Sequence, residues 1–324
     1  MTREHFLPPK ALRSAHVQTL LGSRGRGYWV NKRAAGMMAA SRQELITCSD
    51  GTILEAWVSA QPDAAPTVVL LHGWLGHADS GYVRSAGAEL WARGFSVVRL
   101  NLRDHGDTAH LNRELYNAAR TVEVVDAVSV IRDQYATGPC AVAGFSLGGN
   151  FALRVARALS IPTIAVCPAM DPASTMRQID LGWSGYRLFF VRKWQNAMRR
   201  KQQAFPDHYR FDRAMQLSTV SAMTDFFISE YSDYASTEEY FAAYTLTGNE
   251  LEECQASIVF STDDPVIPAE DFLDLPASLE VTSLNHGGHC AFIHTPWQPT
   301  WIDNFLADTF TRLLQEPAHS QTAV

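Results

Sequence analysis

Short apolar runs alternate with segments of helical periodicity along most of the chain after residue 40. Residues 67–72 (TVVLLH) and 95–100 are nearly continuous β-branched and aliphatic runs, typical of strands that are covered on both faces. Residues 120–135 instead carry valine and isoleucine at helical spacing. Strands and helices in this alternation predict parallel strands with crossover helices, and therefore an open α/β sheet.

The same pattern predicts a mostly parallel sheet of about eight strands flanked by helices. Two strands, at 45–48 and 53–58, are expected to pair around the turn at Asp50-Gly51. The other strands are predicted at 67–72, 95–100, 140–145, 161–166, 257–261 and 279–284, and helices at 81–93, 120–135, 150–159 and 301–314. The first forty residues show no clear periodicity, so residues 1–40 are interpreted as an irregular arm that packs on the core.

Residues 171–256 interrupt this alternation, because they contain amphipathic helical patterns and many aromatic residues but no convincing strand. A stretch of about 85 residues is too long to be a loop in a compact domain. We therefore expect a helical cap, inserted after the sixth predicted strand, over a core built from residues 41–170 and 257–324. The cap should cover the sheet edge at which open α/β sheets bind ligands.

Composition narrows the class of protein further. The 324 residues include 27 Lys and Arg against 34 Asp and Glu, a formal net charge of −7, and 46% are hydrophobic. This is the composition of a globular protein, and its acidic balance argues against binding nucleic acid. No apolar stretch is long enough to span a bilayer, and the N-terminus lacks a secretory pattern, so a cytoplasmic location is expected. The five scattered cysteines form no C-x-x-C pair, which predicts free thiols and no metal site.

The sharpest chemical signal is Gly144-Phe145-Ser146-Leu147-Gly148, which joins a predicted strand to a predicted helix. A G-x-S-x-G sequence in this context is typical of a nucleophile elbow, in which a tight turn presents the serine hydroxyl at the sheet edge. The glycines are needed because a Cβ on either side would crowd the neighbouring backbone. Ser146 is therefore the predicted nucleophile.

A serine nucleophile needs a base that is oriented by an acid, and both should follow later strands in the order acid, then histidine. The acid is expected in Asp263-Asp264-Pro265, where Asp264 is favoured because it directly precedes the Pro-Val-Ile-Pro turn. The base is expected in Asn285-His286-Gly287-Gly288-His289, where His289 follows the flexible glycines. Asp263 and His286 remain the alternatives.

The loop His72-Gly73-Trp74-Leu75-Gly76 follows the third predicted strand and supplies the fourth element. We predict an oxyanion hole made by the backbone amides of Trp74 and Leu147. His72 is interpreted as a structural residue that hydrogen-bonds this loop, with a second catalytic base as the alternative.

Taken in order, HGWLG, GFSLGG, DDPVIP and GGH resemble the motifs of the α/β-hydrolase superfamily. The chain is more narrowly similar to its YheT-like, abhydrolase-type branch in four places: His16-Val17-Gln18-Thr19, Asn101-Leu102-Arg103, Asn150 after the elbow, and Glu239-Tyr240-Phe241. The resemblance implies the triad Ser146, Asp264 and His289, no cofactor, and a lipid-derived or other acyl ester as substrate. Asp104-His105 departs from the branch, which usually has glycine and then a small residue or cysteine at this point.

The predicted function is hydrolysis of short- to medium-chain or lipid-derived carboxylic esters through an acyl-enzyme. An acyltransferase that uses the same triad and a non-catalytic binding protein of this fold are the alternatives. The aromatic residues of the cap are expected either to line an acyl pocket or to form the cap's own core. The basic cluster at 192–201 is interpreted as a solvated helix face, with peripheral contact to an anionic membrane as the alternative.

Overall fold

A computed structural model describes residues 2–3, 6–62 and 64–315, and within them nine strands form one sheet. The strand order is β1-β9-β8-β7-β6-β4-β5-β3-β2, and all neighbours are parallel except β5-β3 and β3-β2. The strands are β1 (Thr2–Arg3), β2 (Ser41–Thr47), β3 (Ile53–Ser59), β4 (Thr67–Leu71), β5 (Ser96–Leu100), β6 (Cys140–Phe145), β7 (Thr163–Val166), β8 (Ser257–Ser261) and β9 (Glu280–Leu284). The predicted α/β sheet is confirmed, with a two-residue edge strand added at the N-terminus.

Helices cover both faces of this sheet. The α-helices are α1 (Ala15–Leu20), α2 (Gly27–Ala39), α3 (Gly81–Ala92), α4 (Val122–Gln134), α5 (Leu147–Leu159), α6 (Pro172–Leu181), α7 (Ser184–Ala204), α8 (Val220–Tyr231), α9 (Thr237–Ala242) and α10 (Trp301–Leu314). Short 3₁₀ turns occur at Lys10–Leu12, Ala214–Gln216, Gly248–Leu251 and Ala269–Phe272, and a π-helical turn at Leu21–Gly25. Helices α2, α3 and α10 pack on one face of the sheet, and α4 and α5 on the other.

The central strands are covered on both sides, as their uninterrupted apolar sequences predict. Every residue of β4, β5, β6, β7 and β8 is buried. Burial of this kind fixes the positions of the strand ends, because no strand can slide without exposing apolar side chains to water. The loops that leave the carboxyl ends of these strands therefore start from a rigid edge.

The expectation of an irregular N-terminus is wrong. Helix α2 buries Val30, Ala34 and Met37, which are spaced i, i+4 and i+7, and packs against α3. The stripe is narrow, and the neighbouring Tyr28 and Trp29 are exposed, with 69% and 39% of their surface accessible. These exposed aromatic residues hide the helical periodicity in the sequence.

Helices α6–α9 occupy the chain between β7 and β8, and residues 171–256 contain no strand. We refer to these residues as the helical insertion. Its first helix is well capped, since the Asp171 carboxylate accepts hydrogen bonds from the amides of Ala173 and Ser174 and Pro172 occupies the first turn. Across the described parts of the chain, we find no helix with the length and apolar character required to cross a bilayer.

Candidate active site

Ser146 lies at a sharp turn between β6 and α5. Its φ of 55° is in the left-handed region, and its amide donates a 2.9 Å hydrogen bond to the Val166 carbonyl at the end of β7. A Cβ built on Gly144 would lie 2.0 Å from the Gly148 carbonyl oxygen, and one on Gly148 would lie 2.4 Å from the carbonyl oxygens of Leu71 and His72. The crowding expected from the sequence is therefore present on both sides of the serine.

His289 and Asp264 meet at the ends of β9 and β8. The His289 Nδ1 atom lies 2.8 Å from Asp264 Oδ2, and these side chains are 14% and 2% exposed. The other carboxylate oxygen of Asp264 accepts from the amides of Val266 and Ile267, at 2.8 and 3.0 Å, so the acid is fixed by its own turn. Burial lowers the pKa of His289, but the Asp264 carboxylate and the Cys290 sulfur together outweigh this effect, and the pKa lies well above its ordinary value.

Asp263 and His286, the alternatives left by the sequence, form a second pair beside the first. Asp263 Oδ1 accepts a 2.9 Å hydrogen bond from the Gly288 amide, and its Oδ2 lies 3.5 Å from His286 Nδ1. Asp263 therefore holds the backbone of the histidine loop, whereas Asp264 holds the imidazole of His289.

The histidine loop and the serine turn meet at one backbone group. The Val166 carbonyl that accepts from the Ser146 amide is also 3.6 Å from the Sγ atom of Cys290, the residue after His289. The structure thus brings the loops that follow β6, β8 and β9 to the same edge of the sheet, although Asp264 lies 118 positions after Ser146 and 25 positions before His289.

Residues 16–19 hold the histidine loop in place, a role that sequence reasoning missed. The side chain of Gln18 is fully buried and bonds both the amide and the carbonyl of Ile293, at 2.7 and 2.9 Å. Thr19 Oγ1 accepts a 2.9 Å hydrogen bond from the His289 amide. The sequence signal was the His16-Val17-Gln18-Thr19 motif itself, whose polar residues had no assigned partner.

Two buried histidines join the loops that follow β4 and β5. His72 Nε2 accepts from the Leu102 amide at 3.1 Å, and His105 Nε2 accepts from the Leu75 amide at 3.0 Å. Each Nδ1 faces a carbonyl oxygen, that of Gly73 or Arg103, so both rings are neutral and carry the proton on Nδ1. Burial lowers the pKa of His105 to about 4 and that of His72 well below its ordinary value. His72 has the structural contacts expected of it.

Trp74 and Leu147, whose amides are predicted to form an oxyanion hole, both border the same cavity as Ser146. Neither amide has a hydrogen-bond partner among the residues that the structure describes. The neighbouring Gly73 amide is instead occupied, since it donates to the Tyr82 hydroxyl at 2.9 Å. Two unused amide donors can receive negative charge that develops on a bound oxygen atom.

Asp104 and Lys201 form a buried ion pair between the loop after β5 and the helical insertion. Lys201 Nζ lies 2.7 Å from Asp104 Oδ1, with side-chain exposures of 1% and 8%. The ammonium also donates to the carbonyls of Asn112 and Glu114, at 2.6 and 3.0 Å. Asp104 and His105 are the two residues that differ from the YheT-like branch. Asp104 thus contacts the insertion, and His105 contacts the loop that carries Trp74.

A cavity of about 620 Å³ lies between the sheet edge and the helical insertion. Ser146 and Leu147 border it from the elbow, and its apolar walls include Leu115, Met176, Ile179, Phe190, Trp194, Phe227, Tyr240, Phe241 and Tyr244. The volume is in the range of cavities that bind small molecules. Polar side chains at its margin include Asp104, His105, Lys193 and Arg200.

The aromatic residues of the helical insertion divide between the cavity wall and the insertion's own core. Phe190, Trp194 and Phe227 border the cavity, and Trp74 stacks on Phe190 with ring centroids 5.5 Å apart. Others of the set face elsewhere: Phe226 and Tyr231 pack inside the insertion, and Trp183 contacts His16 of α1. Only some of these aromatic residues therefore lie where they could contact a bound ligand.

The basic cluster at 192–201 is not a single solvated face. Arg192, Arg199 and Arg200 are exposed, but Lys201 is buried and Lys193 donates a 2.8 Å hydrogen bond to the Leu75 carbonyl. The solvated-face interpretation is therefore wrong for the two lysines. Both lysines instead attach α7 to loops at the edge of the sheet.

Comparison with known proteins agrees with this architecture. The model of the alpha/beta hydrolase family matches residues 68–300, which is more than half of the chain. The chain therefore belongs to the alpha/beta hydrolase family. Among solved structures, it is similar to the Pyrococcus furiosus esterase Pf2001, with a TM-score of 0.54 at 15% identity over 84% of this chain and 92% of the other. The serine hydrolase CCSP0084 of Cycloclasticus zankles gives 0.57 at 13% identity, over 85% and 100%.

Relatives of similar length support the narrower resemblance. The chain is 25% identical to the protein named "Putative esterase YheT" from Escherichia coli, over 96% of this chain and 94% of the relative. It is 22% identical to human "Monoacylglycerol lipase ABHD2", over 97% of this chain and 81% of the relative. The similarity thus extends beyond residues 68–300, the region that the family model matches, into the N-terminal part of the chain.

Replacing Lys201 by Met should destabilise the protein by about 3–5 kcal/mol, because the Asp104 carboxylate would remain buried without its cation. Chemical denaturation of the wild type, K201M, D104N and the double variant gives the coupling energy of the pair. K32M, at an exposed position of α2, is the control and should change stability by less than about 0.5 kcal/mol. A double variant no more stable than K201M would contradict the assignment.

Proposed function

We propose that this protein is a serine hydrolase that cleaves carboxylic esters through an acyl-enzyme formed on Ser146. The observation that carries the proposal is the 2.8 Å contact between His289 and Asp264, located at the same sheet edge as the strained turn of Ser146. The names of the relatives, an esterase and a monoacylglycerol lipase, support the same class of reaction.

In the proposed reaction, His289 Nε2 accepts the Ser146 proton as the serine oxygen attacks the ester carbonyl carbon. Asp264 holds the imidazole with its proton on Nδ1 and stabilises the imidazolium that forms. The amides of Trp74 and Leu147 donate hydrogen bonds to the carbonyl oxygen, which becomes negative. The imidazolium then protonates the departing alcohol, and water, deprotonated by the same histidine, releases the acid and restores the serine hydroxyl.

The apolar walls of the cavity support the further proposal that the substrate is a lipid-derived ester with an acyl group of short to medium length. Most side chains that border the cavity are apolar, and burial of each methylene group contributes about 0.8 kcal/mol. We further propose that residues 171–256 act as the cap over this site, since α6, α7, α8 and α9 all contribute residues to the cavity wall.

Replacing Ser146 by Ala should lower the turnover of a p-nitrophenyl ester by about 10³-fold or more, because the covalent step is lost. A fluorophosphonate probe should label the wild type, and mass spectrometry should find the modification on the peptide that contains Ser146. The control is S23A, at an exposed position, which should keep both labelling and activity. Full hydrolysis by S146A would refute the proposed nucleophile.

Replacing Asp264 by Asn should lower kcat by about 10³- to 10⁴-fold, because the amide no longer favours the imidazole tautomer that the reaction needs. D263N is the matched control: an amide oxygen can still accept from the Gly288 amide, so activity should fall less than about tenfold. Steady-state kinetics of both variants provide the measurement. Equal losses in the two variants would contradict the assignment of Asp264.

The preferred acyl length can be measured with p-nitrophenyl esters from acetate to decanoate, which share one leaving group. We expect kcat/KM to rise by up to about fourfold per methylene while the chain still enters the cavity, and then to level off or fall. If acetate and octanoate reacted equally well, an extended acyl site in this cavity would be excluded.

A further inference from the structure

Two cysteines lie beside the histidine of the proposed triad. Cys167 directly follows β7, and Cys290 directly follows His289 in the loop after β9. A sulfur from each cysteine and an imidazole nitrogen of His289 all lie within 4.8 Å of one another. We refer to these three residues as the thiol cluster.

The fold holds the members of the thiol cluster together. Cys167 is fully buried and donates its amide to the Val259 carbonyl on β8 at 2.7 Å, while the Cys290 sulfur is 3.6 Å from the Val166 carbonyl. Both cysteines have positive φ angles, 44° and 61°, which turn the chain sharply after the strand and the histidine. Backbone contacts to neighbouring strands therefore fix the positions of the two sulfurs.

Two thiols and one imidazole are a zinc-type set of ligands. Zinc binds cysteine sulfur at about 2.3 Å and histidine nitrogen at about 2.0–2.1 Å in tetrahedral geometry, so its ligand atoms lie roughly 3.3–3.8 Å apart. Separations of up to 4.8 Å can reach these values through small rotations of the side chains. Hard cations such as Mg²⁺ and Ca²⁺ are disfavoured because the set contains no oxygen ligand.

We propose that Cys167, Cys290 and His289 form an inhibitory site for Zn²⁺ or a similar soft divalent cation. Asp264 already holds Nδ1 of the imidazole, so Nε2 is the nitrogen left to coordinate the metal. Asp264 then orients the His289 imidazole through its contact with Nδ1, as carboxylates do for many zinc-bound histidines. On binding, the two sulfurs and Nε2 lose to solvent any protons that they carry, and water completes the fourth position.

Metal binding inhibits the proposed reaction because the lone pair of His289 Nε2 cannot bind a metal and accept a proton at the same time. The proposed function requires Nε2 to accept the Ser146 proton, and a coordinated metal occupies that lone pair. The inhibitory effect thus rests on the proposed function, whereas metal binding itself does not. The other three cysteines, Cys48, Cys140 and Cys254, are also free and buried, but none belongs to such a group of ligands within the described residues.

The binding step can be tested without activity by titrating Cd²⁺ into full-length S146A and following the ultraviolet charge-transfer band of cadmium thiolate. We expect saturation at one equivalent and displacement by Zn²⁺. C167S and C290S should bind at least about 100-fold more weakly, because each lacks a direct ligand. C254S, a buried cysteine outside the cluster, should bind like the parent.

The inhibitory step is tested with the wild type and C167S, which changes no residue of the proposed catalytic machinery. Zn²⁺ should stop ester hydrolysis by the wild type, and a chelator should restore it. C167S should hydrolyse the ester at the wild-type rate and need at least about 100-fold more Zn²⁺ for the same inhibition. Equal inhibition of C167S and the wild type would overturn the inhibitory site.

The outcomes separate this site from the proposed function. A stoichiometric cadmium band in a protein that hydrolyses no ester would support the metal site and refute the function. Ester hydrolysis by a protein that gives no cadmium band would support the function and refute the metal site. If C167S does not fold, pulsed alkylation of the wild type provides the test, because Zn²⁺ should protect the peptides of Cys167 and Cys290 but not that of Cys254. Absence of this protection would overturn the site.

Discussion

At the carboxyl end of β6, the first turn of α5 lies directly against the strand that precedes it. The Gly144 Cα is so close to the Gly148 carbonyl that a side chain would lie 2.0 Å from that oxygen, and Gly148 is equally confined by the end of β4. This packing of backbone on backbone confines the turn and accounts for the positive φ of Ser146. The position of the proposed nucleophile thus follows from a single steric constraint.

The remaining loops are held by polar groups that cannot be removed singly without leaving a buried partner unsatisfied. His72 and His105 each accept an amide hydrogen from the other's loop, while Gln18 and Thr19 bond the loop of His289. These contacts order loops that have no regular structure of their own. The strained elbow therefore faces partners that are fixed before any substrate binds, which is the condition for effective electrostatic catalysis.

The features that could be predicted from the sequence are those that depend on the order of the motifs along the chain and on local patterns of residues. Ser146, Asp264 and His289 each follow a recognisable strand, and the glycines beside Ser146 and His289 and the prolines after Asp264 indicate turns, so their shared edge could be inferred. The helix at 27–39 was missed because exposed Tyr28 and Trp29 obscure its narrow apolar stripe. The partners of Gln18 and Lys201 could not be predicted, because those contacts depend on how distant loops pack, for which the pattern carries no signal.

The thiol cluster is a consequence of the geometry that assembles the proposed triad. In a parallel sheet, residues that follow neighbouring strands gather at one edge regardless of their chemistry. Cys167 follows β7, which lies between the strands that lead to Ser146 and Asp264, so its sulfur is brought close to His289. Its position along the chain, directly after a buried strand, was visible in the sequence. Its proximity to Cys290 was not, since that depends on the turn that reverses the chain after His289. The base of the proposed reaction is therefore placed beside two soft ligands, and in the roles proposed for it the same lone pair can accept a proton or bind a metal, but not both.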